Sequence, residues 1–111
     1  MSDVLWKKKE REWAKLLGGE RVLFGGTNSN KPVDVSAEGV VVDVKSTHGK
    51  ESISIDKKDL EDIVRKGKEL EKLGIVGFQF YNDTRKYVIM DFVDFKTLFD
   101  IAIKHTNLVV V

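Results

Sequence analysis

Apolar residues recur along this chain with two different periods, and each change of period marks an element. From Ser2 or Asp3 up to Gly18-Gly19 the spacing is helical, and glycine can supply the left-handed cap that ends the helix. A short strand is predicted at residues 21–24, followed by a loop at 25–31 whose composition is Gly-Gly-Thr-Asn-Ser-Asn-Lys. Residues 33–36 and 40–45 read as strands joined through Ala37-Glu38-Gly39 in a short hairpin, with strand continuing at residues 52–55. Asp56 is placed to cap a second helix, in which Leu60, Ile63, Val64, Gly67 and Leu70 repeat at helical spacing up to Gly74. A second hairpin spans 75–81 and 86–92, with Val76, Phe78 and Phe80 alternating against Gly77, Gln79 and Tyr81. A last helix from Asp94 is expected to bury Phe95, Leu98, Phe99 and Ala102, ahead of an apolar tail at 108–111. The resulting order, α-β-β-β-α-β-β-α, predicts a single α/β domain over residues 1–111 with a mixed central sheet flanked by helices.

Composition narrows the setting. The chain has no cysteine, which excludes disulfides and thiolate metal sites and points to a reducing compartment. Met1-Ser-Asp-Val-Leu-Trp runs directly into Lys7-Lys8-Lys9 without the apolar stretch of a secretion signal. No segment approaches the roughly 20 apolar residues that cross a bilayer. The expectation is a cytoplasmic or nucleoid-associated protein without a membrane partner. Net charge is only +1, but residues 1–31 carry seven basic residues (Lys7, Lys8, Lys9, Arg11, Lys15, Arg21, Lys31) against four acids (Asp3, Glu10, Glu12, Glu20). Lys7, Lys8, Arg11 and Lys31 are therefore candidate DNA contacts, against the ordinary reading of a lysine-rich helix as a solvated face.

The candidate chemistry lies in Pro32-Val33-Asp34 and, eight residues after Asp34, Asp43-Val44-Lys45. Side chains alternate along a strand, so Asp43 and Lys45 share one face while Val42 and Val44 point to the other. An unpaired carboxylate on so apolar a strand costs several kcal/mol. Asp43 therefore requires a partner, either a metal ion or Lys45 itself. Asp34, on the neighbouring strand of the hairpin, is placed to point at the same spot; its alternative is an ordinary turn aspartate. Trp6, Trp13, Ala14 and Leu17 lie at helical offsets from Glu10, which puts Glu10 on the buried stripe and turns Glu12 toward solvent. An acid in that position is satisfied either by a metal or, as a boundary glutamate, by a nearby lysine. Together these residues suit phosphodiester hydrolysis. The carboxylate oxygens of Asp34 and Asp43 and a strand carbonyl are hard ligands for Mg²⁺, which keeps several waters and for which Mn²⁺ can substitute. The ion polarises a phosphoryl oxygen and acidifies a water, and Lys45 stabilises the developing charge.

On these residues the chain resembles the PD-(D/E)XK phosphodiesterase superfamily, with Asp34 as the first acid and Asp43-Val44-Lys45 as the second half-motif. Within it, the chain is most similar to archaeal-type Holliday junction resolvases. Those open with a helix of the form E-R-E-L-x-x-x-L, where Glu10-Arg11-Glu12-Trp13-Ala14-Lys15-Leu16-Leu17 stands here. Two departures are visible. Most such resolvases carry glutamate where Asp43 stands, and Pro32 is one residue further from the acid than in a strict Pro-Asp pair. The resemblance implies a restriction-endonuclease-like fold and a catalytic set of Glu10, Asp34, Asp43 and Lys45. It also implies that the Val44 carbonyl is a metal ligand with Glu10 reaching the ion through water, that Thr27 or Ser29 contacts a backbone phosphate, and that a homodimer cuts a four-way DNA junction twice. The second hairpin and apolar tail, or an exposed face of Val76, Phe78 and Phe80, are candidate seams, against the favoured reading of those three residues as plain core. Two alternatives stand beside it: a nuclease of the same fold with another DNA substrate (phage, repair or restriction-related), and a non-catalytic DNA-binding module. His48 and His105 lack a second histidine at ligand spacing and carry no site.

Overall fold

The computed structural model describes residues 2–22, 33–47, 49 and 51–106, with side chains described from residue 7. Thr27, Ser29, Lys31, His48, the side chain of Trp6 and the tail at 108–111 lie outside the described residues. The elements are α1 (Ser2–Leu17), β1 (Glu20–Arg21), β2 (Val35–Ala37), β3 (Val40–Ser46), α2 (Lys57–Glu69), β4 (Leu73–Gln79), β5 (Tyr87–Ile89) and α3 (Phe92–Thr106). They form one five-stranded mixed sheet in the order β1-β2-β3-β4-β5.

The centre of that sheet follows from composition. Val40-Val41-Val42 is β-branched and apolar on both sides, which suits a strand covered on both faces. β3 accordingly lies parallel to β4, with Val42 opposite Ile75 and Asp43 opposite Val76, and α2 makes the crossover between them. The other three pairings are antiparallel. Trp13 and Ala14 of α1 pack with Val35, Val42, Val44 and Ile75 on one face. Ile63 of α2 packs with Val33, Val41 and Val76 on the other. Two glycines of β4 allow this closeness. A Cβ on Gly77 would stand 2.6 Å from the Trp13 ring, and one on Gly74 would stand 2.0 Å from the Ile63 carbonyl oxygen.

Four expectations need correction. Residues 52–55 join no ladder, and β2 and β4 already occupy both edges of β3. β1 begins at Glu20 rather than Arg21, and Asp34 precedes β2 instead of lying within it. α2 ends at Glu69, and its return through Glu71 (φ 57°) places Gly74 inside β4. The largest difference is α3. It starts at Phe92, and Phe95, Leu98 and Phe99, expected in the core, are exposed. Among the described residues no other element packs extensively against it. The core closes on α1 and α2 alone, so helical periodicity in α3 signals an apolar face without supplying a surface to cover it.

Candidate active site

Each candidate residue is positioned by a different part of the sheet. Glu10 lies one turn before Trp13 on the core-facing side of α1 and is 2% exposed. Its Oε1 accepts a 2.7 Å hydrogen bond from Nε of Arg21 on β1. Its Oε2 is buried with no hydrogen-bond partner. The expected lysine partner is replaced by Arg21, and Glu10 is fully buried and not at the boundary. Glu12, two residues on, is half exposed and meets Lys86 at 3.6 Å, in keeping with the helical phase.

Asp34 is held by its own backbone. Its N–H donates to the Val42 carbonyl at 2.9 Å, and its carbonyl accepts from the Val22 N–H at 3.0 Å. Its Oδ2 accepts a 2.8 Å hydrogen bond from the Val44 N–H. These bonds turn the side chain toward β3, where it shares a hydrogen bond with Asp43. Burial pushes the Asp34 carboxyl up to about 7. The Val44 N–H opposes that rise, while the negative charges of Glu10 and Asp43 add to it.

Asp43 is buried on β3, and its Oδ2 lacks a well-formed hydrogen bond. The Lys45 ammonium stands 3.4 Å from that oxygen and 2.7 Å from Oδ2 of Asp59, in the first turn of α2. Burial alone would lower the Lys45 pKa, but the Asp59 hydrogen bond and the charges of Asp43 and Asp59 override it, so the net direction is upward. Lys45 is thus a cation bracketed by two acids. It suits stabilising negative charge and does not suit abstracting a proton.

The structure therefore brings together Asp34, Asp43 and Lys45, with Glu10 in electrostatic range of Asp34. Among the described residues no three Asp, Glu, His or Cys side chains are arranged to hold one metal ion. The fit rests instead on the Asp34–Asp43 pair, with two buried carboxylate oxygens lacking hydrogen bonds nearby, one on Asp43 and one on Glu10. One or two carboxylates completed by water and substrate phosphate is an ordinary Mg²⁺ arrangement. Val44 gives its N–H to Asp34 and sits opposite Gly77 in the β3–β4 ladder. Lys7, Lys8 and Arg11 are exposed along α1, whereas Lys9 is buried.

Sequence reasoning missed Asp59 and the specific role of Arg21. Neither sits in a motif with the acids. Asp59 was legible only as an acid in a first helical turn, and its approach to Lys45 depends on how α2 crosses β3. No protein-family model, curated protein or solved structure matches the chain.

Proposed function

We propose that this protein is a metal-dependent endodeoxyribonuclease of restriction-endonuclease-like fold, hydrolysing phosphodiester bonds in branched DNA such as a four-way junction. The observation that carries the reading is the convergence of Asp34 and Asp43 beside the Lys45 ammonium, with the charges of Glu10 and Asp43 acting on Asp34. A proton is retained by Asp34 up to about pH 7. Such a group is disposed to exchange that proton for a cation.

Mg²⁺ held by Asp34 and Asp43 would supply Lewis acidity toward a phosphoryl oxygen and lower the pKa of a bound water. The chain's own residues do the rest. Lys45, positioned by Asp59, offers its charge to the phosphorane as negative charge develops. Val44 N–H fixes the orientation of Asp34, and Arg21 fixes Glu10. Lys7, Lys8 and Arg11 on α1 are available to phosphates without reading base sequence.

The test uses labelled four-way junction, flap and linear duplex DNA with Mg²⁺ or with EDTA. Mg²⁺-dependent cleavage lost in Asp34→Asn and Lys45→Ala, with DNA binding largely retained, is the expected result. Full activity in either variant removes the catalytic assignment. Preference for linear duplex over junction would instead favour a nuclease of the same chemistry with another DNA substrate.

A further inference from the structure

The second hairpin carries an aromatic cluster that neither layer of the core absorbs. Of its alternating residues Val76 is buried core, whereas Phe78 and Phe80 are only half-buried. Both meet Tyr87 of β5. Phe78 and Tyr87 stack at 5.2 Å, and Phe80 stands edge-on to the two rings at 5.7 and 6.0 Å. None of the three belongs to the clusters that α1 and α2 cover. Tyr81, the next residue, is 46% exposed.

We propose that these rings form a base-stacking subsite, which takes an unpaired nucleotide of a DNA substrate beside the scissile phosphate. The choice of ligand rests on the nuclease reading above. Register is the first argument. Lys45, Phe78 and Tyr87 are successive partners across β3, β4 and β5, so they project in a row from one face of the sheet. Neighbouring strands lie about 4.8 Å apart. Phe78 therefore stands one strand from the lysine assigned to the phosphorane and Tyr87 stands two. That is the scale of the separation between a phosphate and the base it carries.

The chemistry of the lining is the second argument. Beside the rings opens a cavity of about 480 Å³, bordered by Phe80, Tyr81 and Tyr87 and by Glu51, Asn82 and Asp83. The two carboxylates repel phosphate, and with the Asn82 amide they accept hydrogen bonds from the N–H groups of a base edge. A base enters such a cavity while its backbone stays outside, where Arg85 is exposed in the adjoining turn. Rigidity is the third argument. Gln79 Nε2 donates to the Asp83 carbonyl at 2.7 Å, the Asp83 N–H to the Phe80 carbonyl at 3.1 Å, and the Arg85 N–H to Asp83 Oδ1 at 2.8 Å. The Tyr81 N–H donates at 3.3 Å to the hydroxyl of Thr47, two residues past Lys45. The rings are thus tied to the strand that carries Lys45, and a base stacks on them at little cost in ordering. Inside a duplex both faces of a base are covered by its neighbours. Stacking on protein rings therefore selects an unpaired nucleotide at a branch, a flap or an end.

The test reads binding in EDTA, so it does not depend on cleavage. Single-stranded and flap DNA carrying 5-iododeoxyuridine at unpaired positions is irradiated with the full chain, and the adducts are mapped by mass spectrometry. Adducts on Phe80, Tyr81 or Tyr87 are the expected result. Phe80→Leu and Tyr87→Leu, which keep an apolar side chain but lose the ring, should each weaken binding of a short single-stranded oligonucleotide about tenfold, with little change for blunt duplex. Circular dichroism checks that each variant is folded. Where a variant is not, the adduct map of the unaltered protein decides. Adducts confined to other segments overturn the proposal, as do folded variants that lose single strand and duplex equally or neither. Mg²⁺-dependent cleavage with adducts only elsewhere removes the subsite and leaves the nuclease. Adducts on the hairpin rings without cleavage keep the subsite and remove the nuclease.

Discussion

Asp34 shows what the site costs the fold. Its carboxyl titrates at about 7 rather than at the ordinary 3.8, so the native state holds the proton more tightly than the unfolded chain does. The contribution of Asp34 to stability is then greatest below about pH 4, falls as pH rises toward 7, and levels off above that. Asp34→Asn keeps an oxygen to accept the Val44 N–H but removes the charge. It should flatten this decline and raise Tm at pH 8 by roughly 5 °C, as thermal melts between pH 4 and 9 would record. Mg²⁺ should raise Tm of the unaltered protein at pH 8 and do so much less for the Asn variant. Glu10→Gln leaves Arg21 against a neutral group and should cost about 2 kcal/mol as well as impair cleavage. Glu12→Gln, which loosens only a half-exposed pair with Lys86, should stay within about 0.5 kcal/mol. Equal effects on the two glutamates would contradict the helical phase. Asp59→Asn should reduce cleavage about tenfold and move the alkaline limb of the pH profile down, because Lys45 loses its closest counter-charge. An unshifted profile would leave Asp59 with a structural role only.

At the scale of elements, local pattern and packing agree wherever a segment is covered. The contiguous β-branched run of Val40-Val41-Val42 in β3, the helical stripe of Leu60, Ile63, Val64 and Gly67 in α2 and the turn at Glu38-Gly39 are local signals. The structure realises the strand and the turn within a residue or two, while α2 stops at Glu69, short of the expected Gly74. Asp56 caps α2 as its sequence position suggests, although its side chain makes no capping hydrogen bond. Residues 52–55 join no ladder, and no local pattern records that both edges of β3 are already taken. β4 illustrates how one residue can serve two layers. Gly77 lets the Trp13 ring lie directly on the strand, and Gly77→Ala should force that ring aside at a cost of about 1–3 kcal/mol. A lower urea midpoint with an unchanged slope would register this loss.

At the scale of the molecule, a sheet covered by α1 and α2 carries the core and the acidic cluster, and α3 stands apart from both. None of its described helices is long and apolar enough to cross a membrane. A chain ending at Asp91 should therefore still unfold cooperatively, with little change in Tm when compared as a monomer, as calorimetry would show. Its failure to fold would mean that α3 supports the body directly. What the sequence alone determined here is what depends on neighbours along the chain: the order of elements, the face on which Glu10 sits, and the shared face of Asp43 and Lys45. Those follow from periods of 3.6 and 2 residues, which operate over a few positions. Tertiary structure decided what depends on residues distant in sequence. It chose Arg21 as the partner of Glu10, Asp59 as the partner of Lys45, and solvent as the neighbour of an apolar α3. Pairings across 11 and 14 residues are set by how whole elements pack, and a stripe of apolar residues records only that a helix has something to cover, not whether the same chain provides it.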